Sequence, residues 1–400
     1  MIATILILIL SLIYAAYAVI AAWISRGIHN RYPKRADLPR VSIVIPARNE
    51  EEQIPTLLKS LLDVDYPTEL LQIVIANDQS TDRTREVALS YAERFDYRFE
   101  ICEVRDEPDV NLRLKTRALC QGLDRAAGEI ILMTDADCVI PPNWVRSMAS
   151  YFTPHVGMVC GTIIPGDSAE AGGWVRRFET LDWLFLLGSS SGLAGRGHPK
   201  GLIGNNFSVR RSTYHRLGTY RSIERTDPYD DLALMKAVLG AGDRVVFPAD
   251  SGLRIFTKPV ESLYEIARQR RRWMIGARET GWQGMSVIGL GFLTHVSLLV
   301  WFFCVGWWAF IPYLLLTVGN ACVLAPMMKR YARLWLAWLV PFYPLFTASY
   351  AALVGYVILR RGKSLWKGRQ LQAQPNPTRI TLGSRLARQP LLRRLRTSFQ

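Results

Sequence analysis

The chain reads as an α/β domain built on a mostly parallel, Rossmann-like sheet and flanked by transmembrane helices. Three observations predict this. Between residues 40 and 282, short apolar and β-branched stretches alternate with stretches of helical length. Uncharged apolar runs stand on both sides of that region. Polar or acidic residues close three of the strand-like stretches, at the carboxyl ends where open sheets of this kind gather ligands.

Met1 to Ser25 carries no charged side chain and has about the length of a bilayer core. It lacks the basic start and small-residue cleavage site of a secretory signal, so a retained anchor over 1–25 is expected. Arg26, Arg31, Lys34, Arg35 and Arg40 follow it, which places the next domain, 40–282, in the cytoplasm by the positive-inside rule. A second apolar block spans 285–359, broken by Lys329, Arg330 and Arg333 and by prolines at 312, 326, 341 and 344. Its number of crossings stays open: a cytoplasmic tail demands an even number, while the 329–333 cluster also prefers the inside. The tail, 360–400, holds eleven Lys/Arg and no acid, and supplies most of the net charge of +15. It suits either an anionic membrane surface or a solvated disordered segment. Nucleic acid is not expected as a partner, because the charge sits beside apolar segments rather than on a nucleic-acid module. The six cysteines show no CxxC spacing, so buried, reduced thiols are expected.

Within 40–282, VSIVIP (41–46), QIVIAN (72–77), RFEICEV (98–104) and EIILMT (129–134) are predicted strands. Residues 50–62, 82–94 and 112–127 are predicted helices between them, and 261–280 is a fourth. Strand–helix–strand repetition implies right-handed crossovers and a parallel sheet.

The chemistry gathers at the strand ends. Asp135 and Asp137 flank Ala136 after an apolar strand. Such a pair can hold Mg²⁺ or Mn²⁺ together with phosphate oxygens; alone, it is equally a strand-end turn. The first strand ends in PARNEEEQI, where Pro46, Arg48 and Glu50 are expected at the donor nucleotide; helix capping would equally account for the acids. The second ends in ANDQSTDRT, where Asp78 offers either a nucleobase contact or an Asx turn. GNNFSVRR supplies Asn205 and Asn206, and YDDLAL supplies Asp230 and Asp231, either as helix-start charges or as a general base on an acceptor hydroxyl. QRRRW (269–273) combines Arg forks suited to phosphate with a Trp face suited to sugar or lipid, and equally fits an interfacial anchor. The stretch WVRRFETLDWLFLL (174–187) reads either as a membrane-interface segment or as an amphipathic core helix.

Taken in order, these motifs resemble the membrane-bound members of glycosyltransferase family 2, cellulose-synthase-like and ceramide-glucosyltransferase-like enzymes included. The resemblance implies a GT-A-type fold and an inverting transfer from a nucleotide-diphosphate sugar, with uridine diphosphate sugars the expected donors. VSIVIPARNEEEQI looks like the family's opening strand and turn. IVIANDQSTDRT resembles its D-D-x-S-T-D-x-T segment, departing at Asn77 and at Gln79, where glycine is usual. The resemblance assigns the nucleoside to Asp78 and the diphosphate and metal to Lys115, Asp135 and Asp137. The glycine that often precedes the lysine is absent here. Asn205, Asn206 and Asp230 fall on the acceptor side, Asp231 becomes the catalytic base, and Gln269, Arg272 and Trp273 lie near diphosphate and acceptor.

Two activities fit: single transfer to a lipid or lipid-linked acceptor, or a processive polysaccharide synthase of the cellulose, hyaluronan or poly-N-acetylglucosamine kind. The first needs fewer membrane spans and is preferred. A catalytically dead scaffold is disfavoured because Asp78, Asp135, Asp137 and Asp231 are all present, and a transporter because the apolar segments carry few ionisable groups. The expected location is a bacterial cytoplasmic membrane, with the catalytic domain on its cytoplasmic face.

Overall fold

The structure is a computed structural model that describes residues 2–107, 112, 114–166, 173–201, 204–223, 230–277, 281–359, 365–366 and 369–370. It divides into a large unit, Met1–Gly362, and a small one, Lys363–Gln400. In the small unit, only the two-residue strands Leu365–Trp366 and Arg369–Gln370 are described, paired antiparallel; the rest of the expected basic tail lies outside the described residues.

The large unit opens with helix α1 (Ile2–Ile28). The alternating region follows as β1 (Val41–Ala47), α2 (Ile54–Leu62), β2 (Leu71–Asn77), α3 (Thr84–Ala92), β3 (Arg98–Glu103), α4 (Leu114–Arg125) and β4 (Ile130–Thr134). Next come β5 (Cys138–Val139), α5 (Trp144–Ser150), β6 (Val156–Cys160), β7 (Thr162–Pro165), α6 (Trp174–Gly195) and β8 (Asn206–Arg210). Helices α7 (Arg211–Arg216), α8 (Thr219–Ser222) and α9 (Asp230–Gly240), strands β9 (Arg244–Val246) and β10 (Arg254–Thr257), and α10 (Leu263–Ala277) complete the region between the two apolar blocks.

The main sheet has the order β3-β2-β1-β4-β8-β6-β9. Strands β1 to β4 pair in parallel, as predicted, and so do β6 and β9. β8 runs antiparallel to both β4 and β6, which makes the sheet mixed rather than wholly parallel. β1, β2 and β4 are near-continuous apolar runs, buried along almost their whole length as parallel strands at a sheet's centre are. A small sheet, β5-β10-β7, stands beside it.

The helices begin later than the acids suggest. Glu50 to Glu52 form a turn before α2, because the N–H of Glu50 donates to Thr84 Oγ1 (2.7 Å) and that of Glu51 to Asp82 Oδ2 (3.1 Å). Donors that a helix would have left unpartnered are satisfied by the next loop instead.

After α10 come α11 (Gly281–Val305), a 3₁₀ turn (Gly306–Ala309), α12 (Phe310–Arg330), a 3₁₀ segment (Leu334–Phe342) and α13 (Tyr343–Leu359). Residues 334–359 are therefore two pieces, broken beside Pro341. Ser11–Ile28 and Gly306–Arg330 are each long and apolar enough to cross a membrane. α1 and α6 cross at backbone contact: a Cβ on Gly27 would lie 2.0 Å from Gly192 O, so glycine is required there. α6 resolves the two readings of its sequence. Leu181, Trp183, Leu184 and Leu187 are buried core, and Trp174 at its start stays 62% exposed.

Candidate active site

The candidate site is built at the carboxyl ends of the parallel strands. Parallel registers bring Ala47 beside Asn77 and Val44 beside Met133, so the loops after β1, β2 and β4 leave the sheet at one edge. β1 separates β2 from β4, which sets Asp78 and Asp135 two strand spacings apart, about 10 Å.

On one side of that edge lies a chain of matched charges. Asp78 is fully buried, and its Oδ1 accepts from Arg117 Nη2 at 2.7 Å. Arg117 also pairs with Asp106, after β3. Arg48, after β1, donates to the main-chain carbonyls of Asp78 (2.6 Å) and Gln79 (3.1 Å), and its Nη1 lies 4.0 Å from Asp78 Oδ2. Pro46 pairs with Ala76 within the sheet. Arg117 was not anticipated, although its position two residues after Lys115 on α4 is a visible signal.

Backbone strain marks the same edge. Asn49 (φ 52°), Gln79 (φ 54°) and Leu114 (φ 51°) all hold left-handed conformations that favour glycine. The last two are the positions where the sequence departs from the family's usual glycine.

The second cluster follows β4. Lys115 Nζ ion-pairs with Asp135 Oδ1 at 2.6 Å and donates to Gly204 O at 3.1 Å. A Cβ on Gly204 would lie 2.9 Å from Asp231 Oδ2, so that carboxylate is turned inward against the Gly204 backbone. Burial pushes Asp231 up to about 6, opposed by the Leu232 N–H and the Lys115 charge. Asp137 is raised by burial and by the neighbouring charge of Asp135. The Cys138 thiol donates to Asp137 Oδ1 at 3.6 Å and accepts from Asn205 Nδ2, also at 3.6 Å. Asn205 Oδ1 is buried with no hydrogen bond among the described residues.

Asn206 proves structural. Its Oδ1 accepts from Trp144 Nε1 (3.0 Å), and its Nδ2 donates to the carbonyls of Thr162 and Leu253 (2.8 Å each). A side chain so fully engaged in the core leaves no group for an acceptor, which corrects its expected role. Its neighbour Asn205 keeps one.

A divalent cation fits the Asp135–Asp137 pair. Two mutually repelling carboxylates are a hard oxygen donor set, and a diphosphate brings the further oxygens such an ion needs. No group of three His, Cys, Asp or Glu placed to hold a metal occurs among the described residues, so the ion would depend on those ligand oxygens.

On α10, Trp273 packs edge-on against Trp183 of α6, with ring centres 5.2 Å apart at 81°. Gln269 Oε1 is buried and makes no hydrogen bond among the described residues. Arg270, not singled out from the sequence, is buried; it pairs with Asp182 and lies 4.1 Å over the Trp273 ring. Arg272 and Asp230 sit on α10 and α9, and their side chains lie outside the described residues.

Comparison with known proteins bears on the fold that carries these residues. The profile described as "Glycosyl transferase family 2" matches residues 42–218. A probable glycosyltransferase of Bacillus subtilis is 30% identical over 190 residues, covering 46% of this chain and 43% of its own. The β-monoglucosyldiacylglycerol synthase of Nostoc sp. is 29% identical over 256 residues, covering 63% and 52%. The chain thus spans about half the length of these relatives. A mannosyltransferase of Pyrobaculum calidifontis, solved with GDP-Man and Mn²⁺, superposes over 98% of this chain and 94% of its own, with a TM-score of 0.53 at 18% identity. The fold is therefore α/β of the GT-A kind with a mostly parallel sheet. Residues 42–218 thus match the model of glycosyl transferase family 2, on a fold of the GT-A kind.

Proposed function

We propose that the enzyme transfers a sugar, with inversion, from a nucleoside diphosphate sugar to a lipid or lipid-linked hydroxyl at a membrane surface. The observation that carries the reading is the meeting of Lys115, Asp135, Gly204 and Asp231. It sets a cation suited to a diphosphate beside a carboxyl titrating near the working pH of a general base.

The nucleoside sits at the Arg48–Asp78–Arg117 edge, with Glu50 in the loop beside it. Lys115 contacts the diphosphate. Asp231 accepts the proton of the acceptor hydroxyl as that oxygen attacks the anomeric carbon from the side opposite the leaving group. Asn205 lines the acceptor side, Gln269 and Trp273 of α10 bound the acceptor, and Arg272 of the same helix stabilises the departing diphosphate. Mg²⁺ or Mn²⁺ held by Asp137 and Asp135, when bound, supplies charge that stabilises the departing diphosphate.

Exposed apolar surface supports the membrane setting. Phe303 is 89% and Trp307 93% exposed, near the turn between α11 and α12, and Leu12, Val19, Leu314 and Val318 face outward along α1 and α12. Such a surface is costly in water and ordinary in lipid. From Trp308 to Lys329 the chain rises about 32 Å, close to one hydrocarbon thickness. It thus runs from an aromatic belt to a basic one, the pattern of a span whose basic end faces the cytoplasm.

The test incubates the full chain in phospholipid vesicles with Mn²⁺ and radiolabelled UDP- and GDP-sugars, offering dioleoylglycerol and polyprenyl phosphate as acceptors. A small labelled glycolipid is the expected product. A high-mass polymer would instead establish the processive synthase, and no transfer from any donor would overturn the reading.

A further inference from the structure

Asp182 is an acid inside an apolar helix run, TLDWLFLL, and is 1% exposed. Its two oxygens take four donors from two other helices. Oδ2 accepts from Arg270 Nε at 3.0 Å and Nη2 at 2.5 Å. Oδ1 accepts from Tyr343 OH at 2.8 Å and Tyr350 OH at 3.2 Å. The carboxylate therefore joins α6, α10 and α13.

Neutralising a buried charge needs one partner; this arrangement does more. Two bonds to one oxygen fix the plane of the Arg270 guanidinium as well as its position. Its Cζ lies 4.1 Å from the centre of the Trp273 ring, and Trp183, the residue after Asp182, meets the same ring edge-on. Trp273 is thereby held between a cation fixed by Asp182 and an indole adjacent to Asp182 in the chain. Flat, rigid indole faces bind sugars and lipid chains best when their orientation is set beforehand.

We infer that Asp182 is a positioning residue for acceptor binding: through Arg270 it fixes the Trp273 indole, and Tyr343 and Tyr350 of α13 complete the latch. This rests on the reading of Trp273 as an acceptor-side residue. It makes α13 part of the acceptor-binding apparatus rather than an anchor alone. It also distinguishes two arginines of one motif, Arg270 holding the aromatic wall and Arg272 left for the diphosphate.

Arg270→Lys tests the latch. Lysine keeps the charge opposite Asp182 and loses the planar fork over Trp273. The full-length variant and the parent are compared in vesicles with UDP-glucose and dioleoylglycerol. The near-UV circular dichroism of the Trp183–Trp273 pair is recorded alongside. The latch predicts an acceptor KM raised about tenfold, an unchanged donor KM and a weakened aromatic band. Tyr343→Phe with Tyr350→Phe, which leaves the ion pair intact, guards against misfolding in the first variant. It predicts an acceptor KM shift of the same sign, about threefold. Parent-like acceptor KM and band, or donor and acceptor constants moving together, would overturn the inference. A parent that uses no acceptor would defeat only the underlying reading; the dichroism band would then decide the latch.

Discussion

The two sides of the proposed catalytic region, donor and acceptor, hold their working groups by opposite means. On the donor side, around the ends of β1, β2 and β4, loops and the first turn of α4 carry the groups, and charged partners answer one another: Arg48, Asp78, Arg117 and Asp106 on one edge, Lys115 and Asp135 on the other. Three non-glycine residues there hold left-handed backbones. On the acceptor side, α6, α10 and α13 surround one buried ion pair with Trp183, Trp273, Tyr343 and Tyr350. The difference matches the ligands proposed. A nucleoside diphosphate offers charge and hydrogen-bonding edges that ordered polar loops can read, while an apolar acceptor offers area that only aromatic and aliphatic walls can bind.

The largest effect that sharpens this contrast is expected at Asp137. Asp137→Asn removes the carboxylate opposite the diphosphate and should lower kcat by about 10³-fold. Chelation of divalent ions from the parent should match it, and Mn²⁺ should restore the parent alone. Steady-state assays before and after chelation check this. Thermal stability should not fall in the variant, because Asn relieves the repulsion from Asp135.

Next comes a buried acid on the acceptor side. Glu179 is 1% exposed, and its carboxylate accepts the Val260 N–H at 3.0 Å. Burial pushes it up to about 7 from an ordinary 4.5, with the Val260 bond opposing. The folded state thus holds a proton that the unfolded chain releases. This contribution is complete below about pH 4.5 and is lost as pH rises through about 7, a change of about 3 kcal/mol. Glu179→Gln keeps the acceptor and removes the titration. Denaturant midpoints from pH 5 to 8 should fall for the parent relative to the variant. Parallel curves would break the comparison, since the acceptor side would then tolerate charge as the donor side does.

The smallest effect is at Gln79, exposed and at φ 54°. Gln79→Gly should relieve about 1 kcal/mol of backbone strain and leave kcat unchanged. A raised thermal midpoint with parent activity is the expected result. A loss of donor affinity would show instead that the strained turn itself contributes to nucleotide binding.

How much was legible in the sequence follows the same division. The donor side is local: β1, β2 and β4 are unbroken apolar runs, Asp78 and Asp135 follow the last residues of β2 and β4, and Lys115 opens the helix before β4, so each motif carried its own address. Asp231 could be named as a base only through the family resemblance. The approach of its carboxylate to Gly204 joins α9 to the loop before β8, which spacing does not encode. The reversed direction of β8 was invisible for the same reason, since a short apolar strand reads alike in either sense. Asn206 and Asn205 were indistinguishable as neighbours in GNNF; only the fold turns one into the core and the other toward Cys138. Arg270 and Asp182 were missed because helix–helix packing far apart in sequence creates their partnership. The lone acid in TLDWLFLL was nonetheless a signal, as a buried charge demands a partner.

The convergence of Lys115, Asp135 and Asp231 is tested most directly by the pH dependence of kcat for the parent and for Asp231→Asn. Asp231 titrating at about 6 predicts a parent rate that climbs about tenfold per pH unit below that value and levels off above it. The variant should be slower by about 10³-fold and flat across the same range. A variant that transfers sugar at the parent rate, with the parent's profile, would contradict the account.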